Sequence, residues 1–502
     1  MYKKIISILC IVTVTSTLLA GCTNKTSKNT NESKPKEVVS LKYVVPGDSS
    51  PDDEKITDAV NQKMLKDGYN LKLQLVYIPW DTWEQKLEIM MSSGEEFDMF
   101  QVMETWYNTA FYKSRDGVVP IDSYLNEVGK NIKAVIPDYV WKAGKIDGKT
   151  YSIPALTETL TKYNYLTLRK DIFDKYNLKM PTTLDELLNA FKTIKKGEGN
   201  NISYYYNPGS EHRYPLERAL ASFPFAHDKN VVMIDQKSNI KSWIETDEFK
   251  QMSNFLRELY LGGMLPKDIL TLKSSNSVFG ENELKAGRTL LAADLESTAY
   301  QSVFASMPNV KLENIEFSPE KKLFRSSAYS NSNVISATSK HPKEAVQFFN
   351  WFYANQENYD LLTYGIKDVN WIDKGTHLLD VPADKKEKNT FSFADWQTEN
   401  TKFKRYSKDA SQWLVDASTK TYKDSEVENY VGMGFNFDSS TVATEFANVQ
   451  TAYTTSIMPI YLGVIDYDKA YPQALKKMKD AGLDKVIAEY KKQFTDWKSK
   501  NK

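Results

Sequence analysis

At 502 residues the chain exceeds one ordinary domain and is long enough to bury two cores. Its 65 basic side chains balance 65 acidic ones, which removes the electrostatic reason to expect nucleic acid as a partner. Two cysteines and four scattered histidines give no zinc-like spacing, so neither a metal nor a cofactor is expected.

The chain opens on a targeting pattern. Lys3 and Lys4 precede an uncharged, largely apolar stretch from Ile5 to Leu19, and Leu19-Ala20-Gly21-Cys22 closes it. Basic, apolar and small-residue regions in that order make a secretory signal. The apolar stretch is about 15 residues against roughly 20 for a span, which weighs against a plain transmembrane anchor. The cysteine at the cleavage point resembles a bacterial lipobox. That resemblance implies loss of residues 1–21, lipidation of Cys22 and attachment to the outer face of the cell membrane through the lipid alone. Two acyl chains hold stably where one does not. Cys10 would leave with the signal, so no internal disulfide could form. Residues 22–37 are rich in Asn, Lys, Ser and Thr and read as a flexible tether.

The folded body starts near Val38. Leu41 to Val45 reads as a strand that ends at Pro46-Gly47, and Asp53 to Asp67 reads as a helix. Leu71, Leu73, Leu75 and Tyr77 alternate in a second strand. Asp81 is placed to cap a helix carrying Leu87, Met90 and Met91, and Phe97 to Val102 reads as a third strand. The order β-α-β-α-β predicts a parallel sheet covered by helices, with ligands beyond the carboxyl ends of its strands. The loops 46–52, 79–83 and 103–107 would then share one rim. Further along, Thr183-Leu184-Asp185-Glu186 is a capping box after Pro181. Pro342 suits a first helical turn, with Ala345, Phe348, Phe349 and Phe352 on one face. Val486, Ile487, Tyr490, Phe494 and Trp497 make a last apolar stripe.

Several of these segments, in this order, resemble the extracellular solute-binding proteins of ABC importers, family 1. Ser93 to Met99 resembles the family's step into its third strand, and Lys145 to Pro154 its "DGKxYxIP" signature. Leu168 to Tyr176 followed by Met180 to Leu187 resembles its "yRkDlfdkyg…PkTldEl" run. Ala286 to Ala292 and Asn333 to Asn350 continue the likeness. Leu361 to Trp371, Phe435 to Glu445 and Ala481 to Val486 resemble the LipO-type lipoproteins of that family. Where those proteins carry Glu-Gly-Lys, this chain has Lys367-Asp368-Val369, so any ligand contact by that Glu is altered here. The resemblance implies an α/β, two-lobed periplasmic-binding-protein-like fold of type II, hinged between its lobes, with an extra C-terminal helical segment. The expected partition is 38–155 and 295–338 in the N-terminal lobe and 156–294 and 339–430 in the C-terminal lobe. Residues 431–502 would form a segment packed on both.

A sugar presents apolar C–H faces and a rim of hydroxyls. Aromatic rings meet the first at low entropic cost. Carboxylates, amides and arginine meet the second, and an unpaired buried partner costs about 1–3 kcal/mol. Trp80 beside Asp81, and Trp106 beside Glu104 and Tyr107, offer this composition on the rim; each indole could instead pack under its own loop, and Asp81 serves better as a cap. Glu158 follows the first crossing between lobes. Glu211 and Arg213 lie in a Pro/Gly-bounded loop that is either a polar clamp or a solvated turn. Asp294 and Glu296 follow a second apparent crossing strand. Tyr329 precedes a third, Trp371 replaces a family tyrosine, and Asp438 lies in a Phe-Asn-Phe-Asp segment.

No nucleophile elbow, P-loop, H-E-x-x-H or dinucleotide fingerprint stands out, so no catalytic residue is assigned and the chain reads as a binder rather than an enzyme. The expected ligand is a carbohydrate, an oligosaccharide above a single sugar, delivered to ABC permease subunits by a monomeric protein. A peptide-binding lipoprotein or a surface adhesin is the alternative.

Overall fold

The computed structural model describes residues 37–104, 107–156, 160, 164–202, 213–271, 286–290, 306–307, 309–385, 391, 393, 395–410, 412–420 and 422–500. The described residues from Val39 onward form one compact unit. Cys22 and nearly all of the expected tether lie outside the described residues.

The body begins as β1 (Val39–Pro46), α1 (Asp53–Lys66), β2 (Leu71–Ile78), α2 (Trp83–Ser93) and β3 (Met99–Met103), the expected β-α-β-α-β. The short helices α3 (Thr109–Lys113) and α4 (Asp138–Ala143) lead to β4 (Ser152–Pro154). The chain then crosses to a second lobe through β5 (Leu166–Arg169) and α5 (Leu184–Glu198), and leaves it through β6 (Leu323–Arg325). It returns as β7 (Asn331–Ile335) and α6 (Pro342–Phe352), and ends on the second lobe with β8 (Val427–Asn429) and α7 (Leu483–Lys500).

The main sheet has the order β2-β1-β3-β7-β4. β1 pairs parallel with β2 from Val39↔Leu71 to Pro46↔Ile78, and parallel with β3 at Tyr43↔Met99. β7 runs antiparallel between β3 and β4. A parallel centre needs cover on both faces, and the strands carry apolar side chains on both. Leu41, Tyr43 and Val45 meet Ile56, Val60 and Met64 of α1, and also α6. Val44, Phe100 and Val102 meet Trp83, Leu87 and Met90 of α2. On α6 the Ala345, Phe348, Phe349 and Phe352 face is fully buried, and Pro342 sits in its first turn.

The capping box closes one residue early. The Thr183 hydroxyl accepts from the Glu186 N–H (3.2 Å), while the Glu186 carboxylate accepts from the N–H and hydroxyl of Thr182 (both 2.8 Å). Asp81 does not cap α2. Thr82 holds that position without a side-chain bond to the helix, and its hydroxyl donates to the Pro79 carbonyl (3.2 Å).

The two cores divide the chain differently from the expected partition. Ala345 to Phe352, Tyr359, Leu362, Phe393 and Phe403 belong to the first core, so much of 339–430 sits on the N-terminal lobe. Ile315, Phe317 and Phe324 belong to the second core, so the end of 295–338 alone joins the first lobe. The cause is topological: Leu312–Ile315 pairs with β5, the chain crosses only at 326–330, and a helix following β7 folds back on the sheet it has just left. The C-terminal stretch is part of the second core. Val449, Tyr453, Ile457, Met478, Val486, Tyr490 and Phe494 complete the second core.

Candidate functional site

β1, β2 and β3 end at one rim, as parallel strands must. Gly47 ends β1 with φ +116°, and its N–H donates to the Ile78 carbonyl (2.8 Å). A side chain there would lie 3.9 Å from Trp80 Nε1, so the indole leans over the end of β1. Trp80 is 46% exposed and stacks on Trp396, with ring centroids 5.7 Å apart and planes 26° apart. Trp396 is held from behind. The Asn331 amide donates to its carbonyl (3.4 Å), and the Asn333 amide donates to the Gln397 carbonyl (3.1 Å). Tyr43 donates to Asn333 from below. A paired aromatic shelf is thus fixed to β7 and left open on the rim.

Glu104 follows β3. Its carboxylate accepts from the Thr109 N–H (3.0 Å), the Thr109 hydroxyl (2.6 Å) and the Ser332 hydroxyl (2.6 Å). Burial pushes this carboxyl up from its ordinary range, and those hydrogen bonds pull it back. Tyr329 lies in the crossing 326–330. Its hydroxyl sits so close to Gly144, after α4, that a Cβ there would be 2.8 Å away. Burial raises the phenol, and the Glu104 carboxylate adds to the rise. Glu104, Thr109 and Ser332 therefore form one hydrogen-bonded polar group where the sheet meets the hinge.

The other candidates scatter. Tyr107 is half-buried against Phe111, with centroids 4.5 Å apart. Arg213 opens the helix Arg213–Glu217 in the second lobe and lies 5.4 Å from the Tyr214 ring. Trp371 is no ligand platform: it is 4% exposed, its Nε1–H donates to the Gly365 carbonyl (3.0 Å), and the Arg405 guanidinium covers its ring at 4.6 Å. Asp438 is exposed on the C-terminal segment, where its carboxylate accepts from the Ser440 N–H (2.9 Å). Trp106, Glu158, Glu211, Asp294 and Glu296 lie outside the described residues. Among the described residues no cluster of His, Cys, Asp or Glu is placed to hold a metal ion, and no helix is long and apolar enough to cross a membrane.

Two features escaped the sequence reading. One is Trp396, whose neighbours Asp395 and Gln397 give the same indole-beside-polar composition as the 79–83 loop. The other is a buried knot where the lobes join. Fully buried Arg218 donates to Asn164 Oδ1 (3.0 Å), Glu316 (2.6 Å) and the Lys321 and Lys322 carbonyls (2.6 and 2.8 Å). Asn164 in turn bridges both backbone groups of Phe324, donating to its carbonyl and accepting from its N–H (both 2.9 Å).

Residues 47–359, more than half of the chain, match the bacterial extracellular solute-binding proteins. The chain belongs to that family. Residues 431–499 match a domain of unknown function, DUF3502. A carbohydrate ABC transporter substrate-binding protein of Streptococcus pneumoniae serotype 4 (strain ATCC BAA-334 / TIGR4) is 23% identical over 495 residues, 95% of each chain. The polygalacturonan/rhamnogalacturonan-binding protein YtcQ of Bacillus subtilis (strain 168) is also 23% identical, over 95% of this chain and 96% of its own. Among solved structures, the N-glycan transport solute-binding protein NgtS of Streptococcus pneumoniae superposes with a TM-score of 0.75 at 19% identity, covering 92% of this chain and all of that one. The solute-binding family thus shares its two-lobed α/β fold with this chain, C-terminal helices included.

Proposed function

We propose that the protein is the extracellular substrate-binding component of an ABC importer, and that it captures an oligosaccharide between its lobes. The observation that carries the ligand class is the Trp80–Trp396 shelf, open on the rim at the carboxyl ends of the parallel strands. Stacked indoles offer flat apolar area to sugar C–H faces at little entropic cost. Glu104, at the end of the neighbouring strand β3, adds a carboxylate at the same rim, held in place by Thr109 and Ser332. The names of the relatives support the same class: a carbohydrate transporter protein, a polygalacturonan binder and an N-glycan transport protein.

The protein works by binding rather than turnover. A ligand that touches both lobes favours the closed state only as far as it contacts that state better. A monomer tethered through lipidated Cys22 would present the closed pair of lobes to the permease. Thermal unfolding of the soluble chain from Thr23, against monosaccharides, oligosaccharides and peptides, tests this reading. A ligand confined to the native state adds about 2.7 kcal/mol at a hundredfold excess over Kd. A shift with an oligosaccharide class supports the proposal; a shift with peptides alone overturns the carbohydrate assignment.

A further inference from the structure

The C-terminal stretch is built into the second lobe yet reaches the first. Phe435 packs on Tyr490, Phe494 and Trp497 of α7, with centroids 5.2, 5.1 and 5.7 Å away. The Asp438 backbone is clamped by Gln493, which accepts from its N–H (2.9 Å) and donates to its carbonyl (2.8 Å). This turn is therefore rigidly held by second-lobe residues.

The same turn leans on the first lobe. Gly434 has φ +89°, and a Cβ there would lie 2.7 Å from the Ala143 carbonyl at the end of α4. Only glycine permits both the backbone angle and the approach. Two residues on, Asn436 Oδ1 accepts from Asn108 Nδ2 (3.0 Å). Asn108 is the N-cap of α3; it directly follows Tyr107 and stands four residues after Glu104 of the rim. Both contacts lie apart from the three connecting segments 155–165, 326–330 and 408–426, so the chain has no covalent need of them.

We infer that the turn 432–438 is an interlobe latch, and that the C-terminal domain serves to set how far the binding cleft opens. It rests on the reading of the molecule as two lobes that move about a hinge. Opening must pull α3 and α4 away from a turn that second-lobe aromatics hold fixed. The latch touches the same short helix that Glu104 pins through Thr109, so cleft opening and the geometry of the rim change together.

The test needs no ligand, so a failed sugar screen leaves it intact. The chain from Thr23 onward holds no cysteine, and exposed Lys86 and Lys196 can each be replaced by cysteine for spin labels, one per lobe. Interlobe distances are then compared in the parent, Asn436→Leu, Asn436→Asp and Gly434→Ala. Asn436→Leu removes the acceptor, whereas Asn436→Asp keeps it. One exposed hydrogen bond is worth about a 2- to 10-fold change in population. The expected result is a rise of that size in the long-distance fraction for Asn436→Leu, a shift in the same direction for Gly434→Ala, and parent-like distances for Asn436→Asp. Asn436 is exposed, so Asn436→Leu retains the fold and carries the test if Gly434→Ala does not. Identical distributions in the parent and Asn436→Leu overturn the proposal.

Discussion

Trp80 keeps nearly half of its surface in solvent while one face rests on Trp396. A ring so placed contributes little to folding, so its replacement separates binding from stability. Trp80→Ala and Trp396→Ala should each weaken oligosaccharide binding by about tenfold, the upper end of what one aromatic contact supplies. Calorimetric titration with the glycan that shifts the melting point reads this, and Trp80→Ala should leave that melting point within a few degrees of the parent without ligand. A second residue-scale prediction concerns pH. His227 Nε2 lies 2.9 Å from Glu217 Oε2 in the second core, with both side chains buried and Arg213 and Tyr214 alongside. Burial holds the imidazole below its ordinary value, against the pull of Glu217. The unfolded chain therefore takes up the proton first as pH falls below about 6.5, and stability falls with it. Glu104, Glu316 and Asp360, whose carboxyls burial raises, act in the opposite direction, because their folded forms take protons earlier. Comparing the parent with His227→Gln cancels those carboxylates. Urea unfolding should show the parent losing stability relative to the variant between about pH 7 and pH 5. Parallel profiles would contradict this.

At the scale of elements, the molecule depends on what joins its lobes. Arg218 and Asn164 tie the start of β5 to β6 through buried hydrogen bonds, so the first and second crossings leave the second lobe as one unit. Arg218→Ala would leave Glu316 and two carbonyls without their donor, and should cost about 3–5 kcal/mol in urea unfolding. Phe349→Ala, which empties a fully buried site between α6 and β1, should cost about as much. These two elements also mark what the sequence could disclose. The β-α-β-α-β start and α6 were legible because apolar spacing records local periodicity, and the family motifs fixed their order. Which sheet α6 covers was not legible, because the spacing of Ala345, Phe348, Phe349 and Phe352 says that a face is buried and not what buries it. Arg218 and Asn164 stand 54 residues apart and form no pattern in the chain. Trp396 lies in a one-turn 3-10 helix (Asp395–Gln397), too short to show periodicity, and its role comes from meeting Trp80 in space.

For the whole molecule, the sheet order, the crossings and the C-terminal helices put the ligand rim, the hinge polar group and the interlobe turn within one region. Trp371 shows why the candidate site was only partly readable: an indole after a tight turn has the composition of a platform, but its N–H is spent on Gly365 and its face on Arg405. Trp80 and Glu104 share a rim because strand topology alone puts the ends of β2 and β3 together. On the proposed function, a glycan draws two preformed lobes together around that rim. Small-angle scattering of the soluble chain, with and without the oligosaccharide that raises its melting point, tests this most directly. A smaller radius of gyration with an unchanged far-ultraviolet circular dichroism spectrum is the predicted result. Superimposable scattering curves at saturating glycan would contradict it.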